Sequence, residues 1–264
     1  MKYLRFVDNK DSVRSGVLRS DDRIEIIEGE ILGGHEITDE TCAVSDIKRY
    51  LPPVMPPNII AIGRNYLEHA RELNSEVPDK PLIFLKATSS LVGHQQPIIL
   101  PKAAPGEVDY EAELVVVIGK DAKGISPAEA PGYILGYTCG NDVTARDCQK
   151  RIDKQWARSK SFDTFGPVGP VIETELDPTD VRVRSVLNGE CMQDDTTGKL
   201  IFPVYELVSY LSENFTLWAG TLIFTGTPPG VGAGRRPPVF LSPGDTITIE
   251  VEGVGSLENR VQLE

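Results

Sequence analysis

Residues 114–118 of this 264-residue chain read LVVVI, an unbroken apolar run in which all but the first residue are β-branched. A run this short and this branched suits a strand with both faces covered, and Gly119-Lys120 ends it. The chain must therefore build a layer on each side of that strand. The residues before the run are less expected. DYEAE (109–113) puts Glu111 and Glu113 two positions apart, on one face of the strand. Two carboxylates about 7 Å apart repel by roughly 2 kcal/mol at an effective dielectric near 20. Acids at a strand mouth are commonly solvated or paired, so taken alone the two carry no functional message.

Composition narrows the field. With 40% hydrophobic and 25% charged residues, the chain has the make-up of a water-soluble globular protein of one large domain with at most a small appendage. A formal net charge of −12 argues against a nucleic-acid partner. It also repels small anions at long range, so a site for one must bring its own positive charge. No apolar stretch is long enough to span a membrane, and MKYLRFVDNK lacks the features of an export signal. Cys42, Cys139, Cys148 and Cys191 are scattered without a CxxC pair, so neither a zinc site nor a disulfide framework is indicated. A cytoplasmic protein with reduced thiols and no membrane contact is expected.

Strand patterns dominate the rest of the chain. YLRFV, SGVLRS and DRIEIIEGEI predict a small β-rich unit over residues 1–53. The proline-dense LPPVMPPN (51–58) reads as a linker, and residues 54–264 as the main domain. There NIIAIG, PLIFLK, ELVVVIG, TLIFTG, DTITIEVEGVG and NRVQLE predict strands. NYLEHARELNSE (65–76) and PVYELVSYLSENF (203–215) predict helices, and Asn188-Gly189 predicts a hairpin turn. The fold class expected is α+β: mixed β with few, peripheral helices.

Two further stretches bear on chemistry. GTPPGVGAG (226–234) is glycine-rich and follows a strand, but it has no G-x-G-x-x-G, no G-K-[ST] and no helix start after it. It reads as a tight loop, or as backbone N–H groups and the Thr227 hydroxyl brought close to a ligand. Asp142 follows the apolar GYILGYTCG and could join Glu111 and Glu113 in a set of three acids. Oxygen-only ligands of this kind suit Mg²⁺, Mn²⁺ or Ca²⁺ rather than zinc, and such a cation turns their repulsion into attraction.

GRNYLEHARE (63–72), DYEAELVVVIGK (109–120), NDVTARDCQ (141–149), RSKSFDTFGPVGP (158–170), LNGE (187–190) and FTGTPPGVG (224–232) occur in that order. As a set they resemble the fumarylacetoacetate hydrolase superfamily, from about residue 57 to the C-terminus. The resemblance implies a rolled mixed β-sheet core, usually a homodimer, a Mg²⁺ or Mn²⁺ ion with Ca²⁺ as a surrogate, and small anionic substrates that are 2-oxo acids or their enols. By resemblance the metal ligands fall on Glu111, Glu113 and Asp142, and the active-site lysine on Lys160. His69 and Glu72 match the pair that orients and deprotonates water in hydrolytic members, on a segment that resembles a mobile lid. Arg64, Arg146, Gln149, Gly226 and Thr227 match substrate-binding positions. Arg146 reads equally well as an ion-pair partner holding an acid. His94 reads as a structural histidine.

The resemblance implies chelation of a pyruvoyl group and release or rearrangement of an enolate. Hydrolysis of an acylpyruvate-type C–C bond is the first expectation, because His69 and Glu72 are both present. Isomerisation of a 2-hydroxy-dienedioate or decarboxylation of oxaloacetate is the second. A binding protein that kept the fold without turnover is a third, of another class. A second substrate carboxylate would need an additional cation near the metal; Arg235 and Arg236 could serve in principle, but they read as part of a solvated loop and are not counted among the site residues.

Overall fold

The computed structural model describes residues 1–104 and 106–264. The N-terminal unit is a run of strands: β1 (Lys2–Asp8), β2 (Val13–Leu18), β3 (Arg23–Glu30), β4 (Gly34–Ala43) and β5 (Ile47–Leu51). The first four form successive antiparallel pairs, and β5 returns to pair with β1. The prolines of 52–57 then end pairing, as their missing N–H groups require.

β6 (Ile59–Gly63) leads into helix α1 (Leu67–Glu72) and back through β7 (Leu82–Lys86). Short strands β8 (Leu91–Val92), β9 (Ile98–Leu100) and β10 (Val108–Asp109) precede β11 (Ala112–Ile118), which pairs with β12 (Ile134–Asn141). β13 (Thr144–Ala145), a widened helical turn at Cys148–Ile152 and the one-turn α2 (Ala157–Lys160) lead to β14 (Gly166–Glu173). β15 (Arg182–Leu187) and β16 (Glu190–Thr196) form the predicted hairpin. Asn188 and Gly189 have φ of 51° and 85°, as a two-residue turn matching strand twist needs. Helix α3 (Val204–Asn214), β17 (Leu222–Phe224), β18 (Thr246–Val251) and β19 (Gly255–Leu263) complete the chain.

Two large sheets result. One runs β4-β3-β2-β1-β14-β12-β11-β17-β6-β7, with β5 and β8 attached off that path, and the other runs β16-β15-β18-β19-β9. Pairing is mixed: β17 with β6, β8 with β14 and β9 with β19 are parallel. The first sheet crosses from the N-terminal unit into the main domain where β1 pairs with β14, Lys2 opposite Glu173 and Leu4 opposite Val171.

β11 is central and both its faces are covered. Leu114, Val116 and Ile118 pack in one core with Ile247, Ile249 and Leu257 of the second sheet. Val115 and Val117 pack in another with Phe224, Ile59 and the N-terminal residues Tyr3 and Ile27. Each such side chain contributes roughly 1.5–3 kcal/mol on burial, which accounts for an apolar run with no polar interruption. Among the described residues no helix is long and apolar enough to cross a membrane.

Candidate active site

Where β11 begins and β12 ends, the sheet turns polar without becoming exposed. Glu111, Glu113 and Asp142 are 5%, 2% and 1% exposed. One ligand atom from each lies within 4.8 Å of the others. The strand ends are tied together by Glu111 N–H donating to Asn141 Oδ1 (2.9 Å) and Asp142 N–H to the Glu111 carbonyl (2.9 Å). Register does the rest: Ala112 opposes Asn141, so Asp142 lies beside the two acids of the facing strand.

Three cationic partners surround these acids. Lys160, at the end of α2, donates to Glu111 Oε2 (2.7 Å) and Asp142 Oδ2 (2.6 Å). Lys86, at the end of β7, donates to Asp142 Oδ1 (2.6 Å) and to the Lys160 carbonyl. Arg146 donates to Asp109 Oδ2 (2.8 Å), Glu111 Oε1 (2.7 Å) and Gln149 Oε1 (2.9 Å). Of its two sequence readings, the geometry is that of a clamp on acids. Asp109 also accepts from the backbone of Gly232 and Ala233.

The four acids outnumber the three cations of this buried cluster by one, and the excess settles on Glu113. Burial, with Asp142 and Glu111 beside it, pushes the Glu113 carboxyl well above its ordinary value. Glu111 is also buried, but Lys160 and Arg146 outweigh that and hold it low. Burial opposes the charge on Lys160, but Asp142 and Glu111 keep its pKa above the usual lysine value. Lys86 goes the other way, because burial exceeds the pull of Asp142. Three carboxyl groups converging with one charge unmatched fit a hard divalent cation, whose charge would make the cluster net positive and receptive to an anion.

His69 enters the same cavity from α1. Its Nδ1 donates to Glu72 Oε1 at 2.8 Å, and its ring is 5% exposed. Nδ1 is thereby committed, leaving Nε2 as the nitrogen available to a substrate. The cavity has a volume of about 240 Å³; besides His69, Lys160 and the three acids, its lining includes Arg64, Arg146, Gln149 and Thr227. Glu72 and Gly226 stand behind the lining. Gly226 N–H donates to Glu113 Oε2 (2.7 Å), and the Thr227 hydroxyl donates to the Ala112 carbonyl (3.0 Å).

Arg235 and Arg236 are not part of the cavity; Arg235 donates to the Met192 carbonyl (2.8 Å). The other cations of its lining are Arg64 and Lys150, and among the described residues neither has a carboxylate within 4.0 Å. Arg64 lies over the Trp156 ring, 5.5 Å from its centroid, with φ of 56°. His94 is elsewhere: it accepts from Glu258 N–H (3.0 Å), and burial pushes its pKa down to about 4.

Sequence reasoning did not single out Lys86, Asp109, Lys150 or Trp156. Asp109 was within reach, since it shares the odd-numbered alternation of Glu111 and Glu113.

Residues 58–262 match the family described as fumarylacetoacetate hydrolase C-terminal. The chain belongs to the fumarylacetoacetate hydrolase family. Residues 1–53 match a second family, described as Rv2993c-like N-terminal. The mitochondrial oxaloacetate tautomerase Fahd2a of Rattus norvegicus is 42% identical over 82% of this chain and 70% of its own. The crystal structure of a 5-carboxymethyl-2-hydroxymuconate delta-isomerase from Mycobacterium smegmatis is 39% identical, with a TM-score of 0.89 over 100% of both chains. A fumarylacetoacetate hydrolase from Exiguobacterium antarcticum is 37% identical, with a TM-score of 0.90 over 100% of both. Fumarylacetoacetate hydrolase relatives of nearly equal similarity thus carry tautomerase, isomerase and hydrolase names.

Proposed function

We propose that the protein is a divalent-cation-dependent enzyme that moves a proton on a 2-oxo dicarboxylic acid or its enol, in a tautomerisation or isomerisation. The observation that carries this reading is His69, tied to Glu72, facing the same cavity as Glu111, Glu113, Asp142 and Lys160. Mg²⁺ or Mn²⁺ held by the three acids would supply Lewis-acid polarisation of the substrate's carboxylate and 2-oxo oxygens. His69 Nε2 removes a proton from the carbon next to the carbonyl, and Glu72 stabilises the imidazolium that forms. The Lys160 ammonium faces the negative charge that develops on the enolate oxygen. Delivery of that proton from His69 to the enolate oxygen completes a tautomerisation, and delivery to a carbon further along a conjugated chain completes an isomerisation, each with no net change in atoms. Arg64 and Lys150, both without carboxylate partners among the described residues, suit a second substrate carboxylate. The names of the tautomerase and isomerase relatives point the same way.

Hydrolysis of an acylpyruvate-type C–C bond is the second reading, favoured by the same His69–Glu72 pair, which suits deprotonation of water. Both readings share the cation and Lys160, and differ in what His69 deprotonates. Loss of enol absorbance with Mg²⁺ or Mn²⁺ tests them, using enol-oxaloacetate, a 2-hydroxy-dienedioate and acetylpyruvate in parallel. Turnover of the dicarboxylates without cleavage products supports proton transfer. Appearance of pyruvate and acetate from acetylpyruvate at a comparable kcat/KM supports hydrolysis instead.

Association of two copies is also part of this proposal. Leu82 and Leu85 stand 36% and 56% exposed on β7, an edge strand of the large sheet. Light scattering that gives twice the 28.9 kDa of one chain would support it.

A further inference from the structure

The glycine-rich loop after β17 turns its N–H groups inward, onto the protein's own carboxylates. Gly226 donates to Glu113 Oε2 (2.7 Å), Gly230 to Glu72 Oε2 (2.9 Å), and Gly232 and Ala233 to the two oxygens of Asp109 (2.7 and 3.0 Å). One segment of nine residues thus reaches the acid triad, the clamp that orients Arg146, and the partner of His69. It has little freedom to shift. A Cβ on Gly230 would stand 2.3 Å from the Met192 carbonyl oxygen, and one on Gly232 would stand 1.8 Å from that of Val239.

We propose that residues 230–234 are the positioning element for His69, acting through Glu72; this rests on the reading of His69 as the base. Both Glu72 oxygens are used: Oε1 accepts from His69 Nδ1 and Oε2 from Gly230 N–H. Helix α1 has few other anchors. It is six residues long, and His69 and Ala70 are its only buried side chains. A helix so short is not held by its own hydrogen bonds. The carboxylate bridge therefore fixes both the tilt of the imidazole and which ring nitrogen carries the proton. Gly234 makes room for it. A Cβ there would lie 2.6 Å from Glu72 Oε2 and 2.9 Å from Cδ, and the backbone at this glycine is outside the left-handed region. An alanine would therefore be accommodated by displacement of the Glu72 carboxylate alone, with the main chain unmoved.

The test is Gly234→Ala in the full chain, compared with His69→Ala and measured also in a Glu72→Ala background. Gly234→Ala is expected to lower kcat about 10- to 100-fold, the range for losing the support behind a working imidazole. KM, Mn²⁺ affinity by electron paramagnetic resonance, inhibition by oxalate and thermal stability should stay near wild type. Added to Glu72→Ala, the same substitution should cost nothing further. Wild-type kcat in Gly234→Ala alongside an inactive His69→Ala would overturn the inference and leave the reading of His69 standing. An undiminished penalty in the Glu72→Ala background would overturn it too, since the loop would then act by another route. Full activity in His69→Ala would remove the base reading, and the inference with it.

Discussion

Glu113 carries the tension of the site. Burial and the neighbouring Asp142 and Glu111 raise its pKa, so without a cation the folded protein holds a proton on Glu113 more tightly than the unfolded chain does. The sign follows from linkage: an acid that binds its proton more tightly when folded stabilises the fold below its unfolded value of about 4.5. That contribution is lost as pH rises through the raised folded value. Glu111, shifted down, acts only at lower pH. Cation binding must displace the Glu113 proton. Scanning fluorimetry should therefore show a Mg²⁺- or Mn²⁺-induced rise in Tm that is small at pH 5 and larger at pH 8. Glu113→Gln should abolish that rise and, in the absence of cation, be no less stable than wild type at pH 8. A rise that is independent of pH would count against this account of the triad.

At the scale of elements, local pattern and long-range pairing divide what the sequence makes visible. The β11 run, the Asn188-Gly189 hairpin and α3 announce themselves because their signals are short-range: branching, turn chemistry and helical period. The helix expected over 65–76 is instead confined to Leu67–Glu72. Asn65 is used elsewhere, its side chain donating to the Phe202 (3.1 Å) and Thr225 (2.8 Å) carbonyls and accepting from Phe202 N–H (2.8 Å). Tyr66 bridges to Leu200, and Asn74 at φ of 51° lies just past the helix end. None of these partners is near in sequence. Asn65→Ala leaves several buried groups unpaired and should destabilise the protein by about 2–4 kcal/mol in urea titration. It should also weaken catalysis, because Asn65 is where the chain leaves β6 for α1. β4 was not anticipated, since GHEITDETCA is mostly exposed and has little apolar alternation. Lys86 was missed for a different reason: a lysine closing an apolar strand looks like a strand end reaching water, and only the tertiary fold brings Asp142 to it.

At the scale of the molecule, the acid-rich chain and the cation-lined site are two sides of one design. A net charge of −12 gives no general attraction for a small anion, so on the proposed reading capture would rest on Lys160, Arg64, Lys150 and the cation that the three acids would hold. The six motifs contain the triad, Lys160 and His69–Glu72, and the fold brings the triad, Lys160 and His69 to one cavity with Glu72 behind His69. The charge balance was not legible, because Lys86, Asp109 and Lys150 sit outside the motif positions that carried the resemblance. The N-terminal unit is bound into the whole by β1, which pairs with β14, and by Tyr3 and Ile27 in the core beneath β11. Expression of residues 54–264 alone is expected to give aggregated or poorly folded protein. Its β14 would present an open edge, and an apolar face would lie bare. A soluble, cooperatively melting fragment would show that the unit is dispensable for folding. The most direct test of the central claim is exchange of C3 protons of oxaloacetate for solvent deuterium, followed by NMR with Mg²⁺ present. The account predicts rapid exchange with wild type and its loss in both Glu113→Ala and His69→Ala; exchange that needs Glu113 but persists at the wild-type rate without His69 would contradict it.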